Sequence, residues 1–267
     1  MPPEAFLWLI VLWMFAMGAA VGSFLNVVVY RLPLGISLVY PPSHCPKCGK
    51  RIPWYDNVPI FGWIILRGRC RQCHDPISAR YPIVEAITAT MFGLLAANEM
   101  DLLTTIYPIH LLLLCTLLCA ALIEFDGNQP SFGLFLPAFI TGIAIRWFFS
   151  WLRPSEVWPW SLPAPWGWMI VVSDLISIAA LFWAAWLAFR DLLANRKQPR
   201  VGVIWSAVCL IFILDWKACP VIGTASVLYV ILWLVRGVLP RLRFPPVMAI
   251  AFATFVWVLV WAKFGSR

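Results

Sequence analysis

Eight apolar runs divide this chain, and their lengths decide most of what it can fold into. They fall at about residues 6–30, 82–98, 103–123, 132–150, 167–189, 201–214, 218–235 and 246–262. An α-helix rises about 1.5 Å per residue, so about 20 residues cross the hydrocarbon core of a bilayer. Hydrophobic residues make up 62% of the chain and charged residues only 12%, against about 25% charged in a soluble domain. The sequence therefore predicts an all-α polytopic membrane protein with about eight transmembrane helices. The runs at 82–98, 201–214 and 218–235 are short for a crossing. The first run has no basic residue before it, Glu4 being the only charged residue on that side, and it continues past Gly18, Ala19 and Ala20. It reads as a first span rather than a cleaved leader.

The net charge of +8 does not point to nucleic acid, because the basic residues sit in short loops between spans. Arg31, Lys47, Lys50, Arg51, Arg67, Arg69, Arg71 and Arg80 follow the first span, Arg190, Arg196, Lys197 and Arg200 the fifth, and Arg236, Arg241 and Arg243 the seventh. With eight spans these loops share one side, which the positive-inside rule makes cytoplasmic. The expected topology has the N-terminus outside and a large cytoplasmic loop between the first two spans. Such a loop can also touch anionic lipid headgroups.

That loop holds Cys45, Cys48, Cys70 and Cys73 in a C-x2-C-x21-C-x2-C pattern. Two Cys-x-x-Cys turns present four thiolates that can surround one tetrahedral zinc ion, and a reducing cytoplasm disfavours disulfides. The pattern predicts a zinc-ribbon-like loop with a structural zinc, since four thiolates leave no open position for substrate. His44 and His74 flank the pairs as ordinary surface residues. Cys115 and Cys119 lie one turn apart in the third span and read as packing residues. The small-residue pair Gly18 and Gly22 reads as a close-packing site for a neighbouring span of the same chain.

The residues around this loop resemble a known family. "GSFLNVVVYRLP" (22–33), "CPKC", "IPWYDNVPIFGWIILRGRC" (52–70), "CRQC" and "ISARYPIVEAITA" (77–89) are similar, in that order, to the N-terminal half of the type IV prepilin leader peptidase/N-methyltransferases. The resemblance covers about residues 20–90. It implies a membrane enzyme of the bacterial inner membrane that cleaves the leader of type IV prepilins or type II secretion pseudopilins. Such an enzyme then methylates the new N-terminus with S-adenosylmethionine. It also implies a division into an N-terminal domain, 1–98, with the Cys loop at 32–81, and a membrane peptidase-like domain, 99–267. The matching polar or shape-determining positions are Asn26, Arg31, Trp54, Asp56, Asn57, Pro59, Arg67, Gly68, Arg80, Tyr81 and Glu85. Asn26 and Glu85 sit near span ends, where a polar group must be paired or functional.

The peptidase half departs from the family pattern. The family uses two aspartates, one protonated and one activating water. At the first position "ALIEFDGNQPSFGLFLP" (121–137) carries Glu124, with Asp126 as the second acidic residue. At the second position the register places Val203. Asp215, in "ILDWK", falls at the outer turn of a hairpin, across the membrane from Glu124. Asp174, within the fifth span, reads as a buried structural acid. Glu124 with Asp126 is an alternative pair, although residues two apart do not face each other on a helix. The altered positions imply that peptidase activity is lost or weakened. A non-catalytic component that binds prepilins or assembly proteins is the alternative function, and an unrelated transporter or scaffold is a third.

Overall fold

The computed structural model describes residues 3–98, 107–147, 206 and 246–264. The chain falls into two compact units, Met1–Asp101 and Leu102–Arg267. Among the described residues the structure is mostly helical, without strands beyond two isolated bridges.

The first unit is built on α1 (Pro3–Arg31) and α3 (Arg80–Asn98), which pack along each other. Between Ala5 and Arg31 no proline interrupts the run and no charge precedes Arg31, so α1 is long and apolar enough to cross a membrane. Little of its apolar length is buried. Phe6, Trp8, Leu9, Leu12 and Trp13 all face outward. In water that would be a large exposed apolar patch; in a bilayer it is the face that meets lipid. The inward face carries Gly18 and Gly22, and the expected close packing falls on α3. A Cβ added at Gly18 would lie 2.7 Å from Phe92 Cβ, and one at Gly22 would lie 2.8 Å from Glu85 Cα.

Arg31 closes α1. Its guanidinium donates to the carbonyls of Ser37 and Pro41 at 2.9 and 2.7 Å, which folds the following segment back onto the helix end. The α3 helix opens where Ser78 Oγ accepts the Arg80 N–H at 3.2 Å, a capping contact. Between them lie a 3-10 turn (Trp54–Asp56) and a short helix, α2 (Phe61–Ile65).

The second unit contains α4 (Tyr107–Phe125), α5 (Phe132–Trp147) and α6 (Pro246–Phe264). The α4 helix is the other described helix long and apolar enough to cross a membrane. Leu113, Leu117, Ala120 and Ala121 of α4 share a core with Phe135 and Ala138 of α5 and with Val247 and Ala253 of α6. Thr88, Thr116, Thr141 and Thr254 each donate to the carbonyl four residues earlier, at 2.7–2.8 Å. That back-bonding satisfies a hydroxyl within its own helix, as an apolar solvent requires.

Described helices therefore fall on the expected runs at 6–30, 82–98 and 246–262, and on 107–123 and 132–147 of the runs at 103–123 and 132–150. The α3 helix is the least apolar of them, carrying Arg80, Glu85, Thr88, Thr90 and Asn98. The runs at 167–189 and 218–235 lie outside the described residues, as does 201–214 apart from Ser206, and so do Asp174, Val203 and Asp215.

Candidate functional site

The two Cys-x-x-Cys segments fold into matching knuckles. In the first, Cys45 N–H donates to Lys50 O and Gly49 N–H to Cys45 O. In the second, Cys70 N–H donates to Asp75 O and His74 N–H to Cys70 O. The bridges His44–Arg51 and Arg69–Pro76 flank them at equivalent positions. Gly49 (φ 68) and His74 (φ 58) occupy the same left-handed position. Glycine is the residue suited to that backbone, and His74 adopts it because the knuckle's bonds hold it there.

The knuckles bring the four sulfurs together: every ligand atom of Cys45, Cys48, Cys70 and Cys73 lies within 4.8 Å of every other. Cys45 Sγ and Cys73 Sγ are 3.7 Å apart. Zinc–sulfur bonds of about 2.3 Å in a tetrahedron place sulfurs about 3.8 Å apart, so the cluster can hold a metal such as zinc. The Cys70 thiol is drawn down to about 7, chiefly by the backbone N–H groups of Cys73 and Gln72. At Cys73 the Asp75 N–H acts in the same direction, but burial and the neighbouring thiols Cys70, Cys45 and Cys48 outweigh it and push the group up to about 12. Four crowded sulfurs share protons unless a cation replaces them, which is the behaviour of a metal-ligating set. His44 Nδ1 lies 3.0 Å from Pro42 O, outside the cluster.

The loop between the knuckles is organised by two acids. Asp56 forms a two-pronged ion pair with Arg71: Nε to Oδ2 is 2.7 Å and Nη2 to Oδ1 is 2.5 Å. The Asp56 side chain is 3% exposed and that of Arg71 47%. The guanidinium also sits 5.6 Å from the Tyr55 ring centroid. Since Arg71 lies between Cys70 and Gln72, this pair ties the second knuckle to the 3-10 turn. Lys50 Nζ donates to Gln72 Oε1 at 3.2 Å and joins the knuckles directly. Gly62 sits over the Asp56 carbonyl, where an added Cβ would come within 2.3 Å of the oxygen.

Glu85, the second acid, is buried on α3. It accepts the Ile60 N–H at 2.7 Å, with the Ser23 side chain of α1 beside it. Ile60 has φ 64 and ψ −55, and Phe61 N–H donates to Pro59 O at 2.6 Å. This is the strained γ-turn hand, unusual for a β-branched residue. Asn26 donates to Tyr81 O at 3.3 Å, a second polar link between α1 and α3. Trp63 Nε1 donates to Ile77 O at 3.0 Å, and Gly68 lies against the Trp63 ring.

Of the positions singled out by sequence, Asn26, Asp56, Gly68, Tyr81 and Glu85 make the contacts just described and Arg31 holds the segment at 37–41, while Trp54 is 81% exposed. Arg71, Gly62, Trp63, Ile60 and Ser23 take part in those contacts and were not singled out. Arg71 left one signal: Asp56 and Asp75 are the only acids between residues 32 and 79.

The Arg71 hydrogen bonds hold the Asp56 carboxyl below its ordinary value of 3.8, against the opposing effect of burial. Its contribution is therefore present above the ordinary carboxylate range and disappears as pH falls through the depressed value. Asp56→Asn should cost about 1.5–3 kcal/mol, nearer the lower figure because Arg71 is half exposed. Hydrogen exchange of residues 54–71 against pH measures this. Equal protection in variant and wild type at neutral pH contradicts it.

In the second unit, α4 ends in a turn closed by Gly127 N–H to Glu124 O and Asn128 N–H to Ile123 O, at 3.0 and 3.1 Å. Asp126 is exposed and Glu124 half-buried. Glu124 Oε2 accepts the Val247 N–H at 3.1 Å, at the start of α6. A carboxylate is favourable there, against the positive end of the helix dipole.

These features define a class: a helical membrane protein whose first apolar helix leads into a four-cysteine module. Residues 16–98 match the model of the bacterial peptidase A24 N-terminal domain. The prepilin leader peptidase/N-methyltransferase of Klebsiella pneumoniae is 34% identical over 217 residues, covering 78% of this chain and 86% of that protein. The protein of that name from Dickeya chrysanthemi is 30% identical over 239 residues, covering 80% and 77%. The one from Myxococcus xanthus is 39% identical over 137 residues, covering 51% of this chain but only 40% of that protein's length. No solved structure matches. The chain belongs to the prepilin leader peptidase/N-methyltransferase family.

Proposed function

We propose that this protein processes prepilins or pseudopilins at the bacterial inner membrane, and that it keeps the methyl-transfer half of the reaction while its peptidase half is altered. The observation that carries this reading is the similarity to the Klebsiella relative along most of both chains. The reading has about eight spans, a cytoplasmic Cys loop, and domains at 1–98 and 99–267. The placement of the basic residues supports this orientation.

In the first domain, Cys45, Cys48, Cys70 and Cys73 would hold one zinc ion. A closed tetrathiolate supplies rigidity rather than a Lewis-acid site. Asp56, Arg71 and Glu85 then fix the loop against α1 and α3. S-adenosylmethionine is the methyl donor, a co-substrate that meets the new N-terminus of the cleaved pilin. In the second domain Glu124 and Asp126 are the candidate acids. Peptide cleavage by an acid pair needs one carboxylate to activate water and a second, protonated one beside it. Glu124 reaches one methylene further than an aspartate and bonds the α6 N-terminus, and Val203 has no proton to give. A displacement of about 1 Å at a reacting group can cost about a hundredfold in rate.

The test restores the family's letters. Glu124→Asp combined with Val203→Asp should raise prepilin cleavage at least about a hundredfold over the wild-type chain, measured in detergent by mass spectrometry. Wild-type cleavage equal to that of the double variant sinks the reading, and so does loss of an existing activity in Asp215→Asn. The bond from Glu124 to α6 also suits a second reading, a prepilin-binding component without catalysis. Binding of prepilin with neither cleavage nor methylation favours that one.

A further inference from the structure

The α2 helix presents an apolar face that nothing in the first unit covers. Phe61, Ile64 and Ile65 stand at i, i+3 and i+4, the spacing of one helix face, and are 63%, 56% and 68% exposed. The opposite side is fixed inward: Gly62 lies on the Asp56 carbonyl, and Trp63 bonds Ile77 O.

The depth of this face follows from α1. Its 29 residues are about 43 Å long, against a hydrocarbon core of about 30 Å. Among the described residues exposed apolar side chains begin at Phe6, and about 20 residues from there the boundary falls near Leu25. Ser23 lies at that boundary. Its neighbour Gly22 lies against Glu85, where an added Cβ would fall 2.8 Å from Glu85 Cα, and Glu85 accepts the N–H of Ile60, the residue that precedes α2. The strained turn at Ile60 is thus tied to the edge of the hydrocarbon, well back from the end of α1 at Arg31. Phe24 on α1 and Ile83 and Ile87 on α3 are exposed apolar residues near the same level. The surrounding loop, residues 32–79, carries six Lys or Arg against two Asp, and Asp56 is already paired with Arg71.

We propose that the Phe61–Ile64–Ile65 face of α2 is immersed in the bilayer at the boundary between acyl chains and anionic headgroups. The helix forms a lipid foot that seats the cysteine module on the membrane surface. Apolar side chains enter the acyl region while the basic residues of the loop meet the headgroups, the arrangement of an interfacial segment. The Glu85 bond to Ile60 sets the height of the foot. The inference rests on α1 crossing the membrane and is independent of which reaction the family site performs.

The experiment uses the full chain in nanodiscs of phosphatidylethanolamine and phosphatidylglycerol. Trifluoromethyl-phenylalanine replaces Phe61, or Phe24 as a lipid-facing reference, or Tyr40 as a water-facing one. Fluorine relaxation is measured with a lipid carrying a nitroxide high on its acyl chain, and separately with a soluble gadolinium chelate. Phe61 should behave as Phe24 does, relaxed several-fold more by the lipid nitroxide than Tyr40 and shielded from gadolinium. Ile64→Asp with Ile65→Asp should weaken that lipid contact while the metal content is unchanged. A Phe61 signal that follows Tyr40 overturns the proposal. So does one shielded from gadolinium only when prepilin is added, which would make the face a peptide-binding surface. A Phe24 signal that follows Tyr40 overturns both the foot and the span on which it rests.

Discussion

Cys48→Ser is expected to release the metal and unfold the cysteine module, the largest effect that any single side-chain change in the first unit should have. The wild-type protein should purify with about one zinc per chain, as one tetrathiolate site requires. The sulfurs converge to within 4.8 Å, but few other contacts hold the module: between the knuckles the described bonds are Lys50 to Gln72 and the Cys45–Cys73 contact. Cys45 is the only buried cysteine of the four. The apolar interior is therefore too small to fold the loop alone, and metal binding has to supply the stability, about 10–16 kcal/mol for structural zinc in small modules. Elemental analysis and limited proteolysis of residues 42–79 read the outcome. His44→Ala should keep the zinc, and His74→Gly should keep it too while relieving a left-handed backbone at φ 58. A metal-free wild-type module that resists proteolysis contradicts the site.

The second large effect is expected from Gly22→Leu. The first atom of the new side chain would fall 2.8 Å from Glu85 Cα and 3.0 Å from Thr88 Cβ. Backbone cannot swing aside as the end of a flexible side chain can, so α1 and α3 must separate. Overpacking a core site costs about 1–3 kcal/mol, and a clash with backbone belongs at the upper end. Separation also breaks the Asn26–Tyr81 bond and shifts Glu85, which holds the Ile60 N–H. The strained turn at Ile60 is then released. Thermal unfolding in detergent should fall by several degrees, and exchange at the Ile60 amide should rise. Gly93→Ala, within a helix and with an added Cβ no closer than 3.7 Å to Phe15, is the control for replacing a helical glycine where there is room. An unchanged melting temperature in Gly22→Leu contradicts the close helix contact.

What sequence made legible is what spacing carries. Four cysteines in two Cys-x-x-Cys pairs define a cluster because each knuckle is local, closed by bonds spanning four and five residues. Gly18 and Gly22 mark a close approach because the loss of side chains has few other uses in a span. Asn26 and Glu85 stood out because polar groups near span ends need partners. Their partners were not legible. Glu85 bonds the amide of Ile60, which is presented only because that residue takes a conformation its side chain disfavours, and no propensity signals that. Asp56 and Arg71 are fifteen residues apart in a loop without periodicity, so only their opposite charge hinted at the pair. Glu124 was legible as an acid at a family position. Its bond to Val247, 123 residues later, depends on how α4 and α6 pack. The second acid position, Val203, rests on register alone.

The most direct measurement of the central claim compares the two halves of the reaction in one preparation. The purified full-length protein is incubated with S-adenosylmethionine and either an intact prepilin or a pilin already cut at its leader. Mass spectrometry counts cleaved and methylated termini. A retained methyl-transfer half with an altered peptidase half predicts methyl transfer to the pre-cut pilin and little or no cleavage of the intact one. Prompt cleavage of the intact prepilin by the wild-type chain, or a pre-cut pilin that stays unmethylated, contradicts it.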